Sequence, residues 1–160
     1  MKTHWLEWSF SIAEFVRESN LIEGIDCPAA EHESIEAWYW LVGQKDLRMK
    51  EILKLHKLII HHIDPRIAGK LRKCNVRVGT YICPDHKDIK HDLEHLIAQP
   101  LPKDAVYALA WHRNFENIHP FEDGNGRTGR LIYLWHCKRA GVHPLIFRSR
   151  DKRGYYGLFK

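Results

Sequence analysis

No apolar run in the 160 residues is long enough to span a bilayer, so a transmembrane helix is not expected. Residues 1–10 hold Trp5, Glu7 and Trp8 where a secretory leader needs an unbroken apolar core, so no signal peptide is expected either. Cysteine is scarce and scattered: Cys27, Cys74, Cys83 and Cys137 form no Cys-x-x-Cys pair. That argues against a zinc ribbon and for reduced thiols in a cytoplasmic setting. Linkers, low-complexity tracts and internal repeats are missing, and the length suits one domain with a real core over residues 1–160. A basic tract is missing too: the net charge of +5 is spread along the chain. Nucleic acid is therefore not an expected partner, and an anionic small ligand accounts for part of the excess equally well.

The richest stretch is His119-Pro120-Phe121-Glu122-Asp123-Gly124-Asn125-Gly126-Arg127-Thr128-Gly129-Arg130, followed at once by the apolar Leu131, Ile132, Leu134 and Trp135. This order predicts a loop that ends in the N-terminus of a buried helix. Unpaired N–H groups and the positive dipole end suit phosphate there. Gly124 and Gly126 carry no Cβ and let the backbone approach an anion closely. Arg127 and Arg130 are three apart, in the first turn, and their guanidinium forks suit phosphate oxygens. Asp123 is the kind of hard oxygen ligand that Mg²⁺ takes alongside phosphates. His119 titrates in the range needed to take a hydroxyl proton near neutrality. The residues alone point to nucleotide phosphates, a divalent metal and a general base.

The run resembles the Fic signature, His-x-Phe-x-(Asp/Glu)-Gly-Asn-Gly-Arg-x-x-Arg, at every defined position. The resemblance implies an all-α Fic-type helical bundle with a small β-hairpin flap, and an enzyme that moves AMP from ATP onto a protein hydroxyl. It implies His119 as the base, Phe121 as the buried anchor of the loop, and Asp123 as the Mg²⁺ ligand. Gly124, Asn125 and Gly126 become the phosphate cradle, Arg127 a further phosphate contact, and Arg130 the γ-phosphate contact. Ser19-Asn20-Leu21-Ile22-Glu23-Gly24 resembles the family's inhibitory motif, (Ser/Thr)-x-x-x-Glu-(Gly/Asn). That assigns residues 1–28 to an inhibitory helix region in which Ser19, Glu23 and Gly24 act and Glu23 pairs with Arg130. The same stretch also reads as a helix end with a glycine cap.

Taken in order, Trp5, Trp8, Ile12, Phe15 and Val16 recur at helical spacing and predict a helix over residues 5–20. Further helices are predicted over residues 29–42, 47–62, 85–99 and 105–118. The helix over 47–62 is the most apolar outside the motif helix, and its His56, His61 and His62 read as surface or satisfied core histidines. In the helix over 105–118, Val106, Leu109, Ala110, Phe115 and Ile118 form the expected apolar face, with Trp111 and His112 placed to meet the motif helix. Residues 69–84, with Val76, Val78, Gly79 and Tyr81, read as a hairpin with no sheet to join, hence a surface flap. The resemblance makes it the flap that adds a target peptide as a strand. The tail around Tyr155-Tyr156 resembles the family's helix beside the adenine pocket, with Tyr156 bordering the base.

The expected activity is therefore protein adenylyl transfer from ATP·Mg²⁺ to a Tyr, Ser or Thr hydroxyl, restrained by Glu23. Homo-oligomerisation stays open. The rival readings are the same site used for another donor group or for removing AMP, and a non-catalytic interaction module. A third is a zinc hydrolase, since His91-Asp92-Leu93-Glu94-His95 has the inverzincin spacing.

Overall fold

A computed structural model describes residues 8–159. In chain order the elements are α1 (Ile12–Ile22), α2 (Pro28–Val42), α3 (Met49–Ile60), the strands β1 (Arg77–Val78) and β2 (Tyr81–Ile82), α4 (Ile89–Ile97), α5 (Ala105–Ile118), α6 (Asn125–Ala140), a 3-10 turn at Ser149–Asp151, and α7 (Lys152–Gly157). The fold is all-α apart from this one hairpin, as the sequence predicts. The two strands pair antiparallel, with Arg77 opposite Ile82 and Val78 opposite Tyr81.

Helix α6 is the axis of the fold. Every residue from Arg127 to Cys137 is buried, so the helix needs partners on all sides. Those partners are α5, its most extensive neighbour, together with α1, α2 and α3. The core side chains Leu131, Ile132, Leu134 and Trp135 meet Phe15, Ile52, Leu55, Ile59 and Phe115, all but fully buried. The helix stops at Gly141, whose left-handed φ of 68° is cheap only for glycine.

Two sequence expectations change. The first helix does not start near Trp5. Ser11 caps it, its Oγ accepting from the Glu14 N–H at 3.1 Å, and the helix proper begins at Ile12. Trp8 and Phe10 instead precede the helix and pack on Trp38 and Phe15; residues 5–7 lie outside the described part. On α5 the buried face is Ala108, Trp111, His112 and Phe115, while Val106 is 76% exposed and Ala110 is exposed. The periodicity is equally helical on both faces, and the tertiary partners choose between them. His112 is tolerated inside because Tyr155 gives its ring a hydrogen-bond partner at 3.0 Å.

Among the described residues no helix is long and apolar enough to cross a membrane. All four cysteines are free, Cys27 and Cys74 at the surface, Cys83 and Cys137 buried.

Candidate active site

The loop between α5 and α6 is closed by its own side chains. The Asn125 amide oxygen accepts from the Phe121 N–H and its amide nitrogen donates to the Phe121 carbonyl, both at 2.9 Å. Phe121 is fully buried and stacks flat on the His56 ring, with centroids 3.7 Å apart. His56 Nδ1 accepts from the Gly69 N–H, so its Nε2–H donates to the Asp123 carbonyl; both contacts are 2.9 Å. Burial lowers the His56 pKa to about 4, so the neutral ring these bonds require is the ring present at neutral pH. Gly124 takes φ 78°, and a Cβ there would lie 2.5 Å from Ile60 Cδ1. Two constraints, conformation and space, thus demand glycine at this position.

The loop presents His119 and the start of α6 to one cavity of about 1180 Å³. His119 is the C-cap of α5 and, among the described residues, the only non-glycine with positive φ (51°). The first turn of α6 leaves the N–H groups of Asn125, Gly126 and Arg127 without intrahelical acceptors. A Cβ on Gly126 would lie 2.1 Å from Glu23 Oε1 and 2.7 Å from Arg130 Nη1, so the bare glycine leaves room for that pair.

Arg130 is fully buried, and its guanidinium is held from several elements. Nε donates to Ser19 Oγ at 2.7 Å, Nη1 to the Tyr155 hydroxyl at 3.0 Å, and Nη2 to the Ser19 carbonyl at 2.9 Å and Glu23 Oε1 at 2.8 Å. The spacing explains how α1 supplies three of these: Ser19 and Glu23 are one helical turn apart and share a face. Glu23 is the C-cap of α1. Gly24 follows at φ 74°, with its N–H on the Leu21 carbonyl and the Ile25 N–H on the Asn20 carbonyl. The glycine cap therefore ends the helix at the point where Glu23 can reach Arg130. Burial opposes the charge on Arg130, yet the Tyr155 oxygen and the Glu23 and Glu116 carboxylates outweigh it and raise its pKa.

A model of the Fic/DOC family matches residues 46–137. The chain belongs to the Fic/DOC family. It is 34% identical over 148 residues to a "Protein adenylyltransferase Fic" of Aedes aegypti, covering 88% of this chain and 29% of that protein. The protein of the same name in Drosophila melanogaster is 34% identical over 131 residues, with 75% and 26% covered. The chain thus spans less than a third of the length of these curated relatives. Among solved structures, "Fic-1 (aa134 - 508)" of C. elegans superposes with a TM-score of 0.74 at 21% identity, over 91% of this chain and 53% of that one. A Fic domain containing signaling protein of Bacteroides thetaiotaomicron gives 0.72 at 21%, over 91% and 69%. At that identity the likeness establishes the fold.

Within the Fic motif, the residues do not all face the cavity. His119, Asp123, Gly124, Asn125 and Gly126 line it, and so do Glu23 and Tyr156. Arg127 does not: it is 2% exposed and turns toward Asp123, with Nη2 3.5 Å from Oδ2. The Asn125 side chain is committed to Phe121, so what it offers the cavity is backbone. Asp123 keeps 58% of its side chain accessible, and its Oδ1 accepts from the Gly124 N–H at 2.6 Å. Burial, opposed by the Glu116 carbonyl and assisted by the Arg72 charge, lowers the His119 pKa. At neutral pH the ring is therefore a free base. Tyr156 reaches the Ile22 carbonyl at 3.4 Å, joining α7 to α1 beside Glu23.

Three participants carry no sequence signal. Tyr155, the neighbour of the tyrosine expected to matter, is buried and holds both Arg130 and His112. His56 supports the loop from behind. Glu116 lines the cavity one turn before His119, and burial raises its pKa to about 8. A Cβ on Gly129 would lie 2.6 Å from Glu116 Oε1, so glycine within the Arg-x-x-Arg spacing makes room for that acid. His91 and His95 are exposed on α4, beside a separate groove of about 370 Å³. Among the described residues no group of three or more His, Cys, Asp or Glu side chains is placed to hold a metal by itself.

Proposed function

We propose that this domain is a protein adenylyltransferase restrained by its own Glu23. The observation that carries the reading is that His119 and the open N-terminus of α6 line the same cavity, with burial holding the His119 pKa below its usual value. ATP would lie with its phosphates on the Asn125–Gly126 backbone, where the N–H groups and the helix dipole favour anions. A target Tyr, Ser or Thr hydroxyl would approach from the flap, its peptide added along the exposed strand β2. His119 takes the hydroxyl proton as the oxygen attacks the α-phosphorus. The α–β phosphoanhydride bond breaks, and pyrophosphate leaves. Arg130 counters the charge on the leaving group once Glu23 has released it.

Mg²⁺ fits the donors present. Asp123 is a single accessible carboxylate at the phosphate end of the cavity, and Mg²⁺ commonly takes one or two carboxylates with substrate phosphates and water. Held there, it would supply neutralisation of the phosphate charge. Arg127 keeps Asp123 oriented from behind.

The Glu23–Arg130 pair supports restraint, because Glu23 occupies Arg130 in this structure and the γ-phosphate would need the same guanidinium. The reading is tested by labelled-ATP incorporation with wild type, Glu23→Gly and Glu23→Gly/His119→Ala. His119→Ala should cost at least the ~10²-fold typical of general acid–base groups, while ATP binding measured by calorimetry persists. Transfer at the parent rate without His119 refutes it.

A further inference from the structure

Arg72 lies outside the Fic motif, on the segment leading from α3 to the flap, and only 2% of it is exposed. No carboxylate pairs with it among the hydrogen bonds it makes; its partners are carbonyl oxygens. Nε donates to the His119 carbonyl and Nη1 to the Cys74 carbonyl, each at 2.7 Å. Nη2 donates to the Pro84 carbonyl at 2.7 Å and the Ile118 carbonyl at 3.3 Å. Its backbone N–H donates to the Pro120 carbonyl at 2.9 Å.

These partners fall into two groups. Cys74 and Pro84 are the two stems of the flap. Ile118, His119 and Pro120 are the end of α5 and the turn that carries the base. A cation at a helix C-terminus meets the negative dipole end and unpaired carbonyls, so the burial of Arg72 is compensated without an anion. The same bonds address a local cost: His119 is left-handed, with φ 51°, a conformation that a Cβ disfavours. Holding the carbonyls on both sides of the His119 Cα opposes relaxation of that conformation. The flap needs an anchor as well, since its two-residue strands are exposed and too short to stand alone. Beyond Arg72 its base is tied by Asn75, whose Oδ1 accepts from the His86 N–H at 2.8 Å, and its outer end by the Tyr81 hydroxyl on the Asn117 carbonyl at 3.3 Å.

We propose that Arg72 is a positioning residue that fixes the flap and His119 relative to each other, so that a hydroxyl on a flap-docked peptide arrives within reach of the base. The inference rests on the adenylyltransferase reading for its kinetic consequence, though not for its structural one. The guanidinium is the only side chain that can span these carbonyls, because it offers five N–H groups in a fixed fork, whereas an ammonium offers three from one point. The ATP cradle is held separately, by Asn125 on Phe121 and by His56, so it should not depend on Arg72.

The test uses the full chain in the Glu23→Gly background, adding Arg72→Lys or Arg72→Met. Amide exchange of the flap and of residues 118–120 is read by mass spectrometry, with ATP affinity by calorimetry and self-modification with labelled AMP by its kcat and its KM for ATP. In Arg72→Lys we expect a folded protein with flap exchange at least 10-fold faster. The kcat should fall at least 10-fold, ATP affinity should stay within twofold, and Arg72→Met should be worse than Arg72→Lys in each affected readout. A folded Arg72→Lys with parental flap exchange and kcat overturns the proposal. Loss of ATP affinity in step with kcat, or global unfolding of both variants, also overturns it by making Arg72 a general support of the fold. If the parent transfers no AMP, the adenylyltransferase reading fails, while the exchange data still decide whether Arg72 joins flap to loop.

Discussion

Removing the Glu23 carboxylate is the perturbation with the clearest consequence. Glu23 Oε1 is 2.8 Å from Arg130 Nη2; the arginine is fully buried and the glutamate keeps 32% of its side chain accessible. The pair is thus half-buried, which places it above a surface ion pair, where the median is ~0–1 kcal/mol, and in the range of ~1.5–3 kcal/mol for hydrogen bonds to charged groups. A γ-phosphate that must displace this bond is disfavoured by that amount, or roughly 10- to 100-fold in productive occupancy, since ~1.4 kcal/mol is tenfold. Glu23→Gly should therefore raise AMP incorporation, including self-modification, by 10- to 100-fold at subsaturating ATP. Glu23→Gln keeps the shape but not the charge and should fall between the two. Adding Arg130→Ala should abolish the gain, because the γ-phosphate then has no guanidinium to inherit. The assay is labelled-AMP incorporation over an ATP titration in the four proteins. Equal incorporation in wild type and Glu23→Gly would reduce Ser19–Gly24 to a helix end, and full activity in the double mutant would remove Arg130 from the chemistry.

Asp123→Ala should weaken Mg²⁺-dependent ATP binding and transfer together, whereas Glu122→Ala, also exposed on the same loop, should do little; a metal titration showing the opposite order would exchange their roles. Gly124→Ala should destabilise the fold by roughly 2–4 kcal/mol, combining overpacking against Ile60 with a left-handed φ of 78°, and thermal unfolding unchanged from wild type would contradict the packing. Stability should fall with acid through the buried histidines His56, His112 and His136, whose pKa values burial lowers to about 4, 3 and 3. Neutral when folded but protonated below about 6.5 when unfolded, they contribute stability that is present above that pH and lost as pH falls toward their folded values. Glu116, protonated in the fold up to about pH 8 but ionised above about pH 4.5 when unfolded, acts in the opposite direction, so the net slope should be about 3 kcal/mol per pH unit near pH 5. Urea melts at pH 7, 6 and 5 would check it, and a flat profile would mean that these rings are protonated in place.

The motif, the helix it opens and the flap were legible in the sequence because each rests on short-range chemistry. Glycines sit where φ is positive, a phosphate-friendly turn precedes an apolar run, and β-branched residues alternate around Gly79. The limits of α5 follow from Asp104, whose carboxylate accepts from the Val106 and Tyr107 N–H groups, and from the Phe121–Asn125 turn beyond its end. The helix end capped by Gly24 was legible for the same reason, whereas the pairing of Glu23 with Arg130 was expected from the resemblance alone. Which face of α5 turns inward was not, since Val106 and Ala110 are as apolar as Ala108, and only Tyr155 across the core makes His112 acceptable inside. Arg127 and Arg130 look alike in sequence; the tertiary structure sets one against Asp123 behind the loop and gives the other to Ser19, Glu23 and Tyr155. Arg72 looked like one more basic residue of the stretch read as the flap, residues 69–84. Its role depends on carbonyls from two segments, one of them 46–47 residues away, and backbone acceptors carry no sequence signature, so only the folded chain could bring them to one guanidinium.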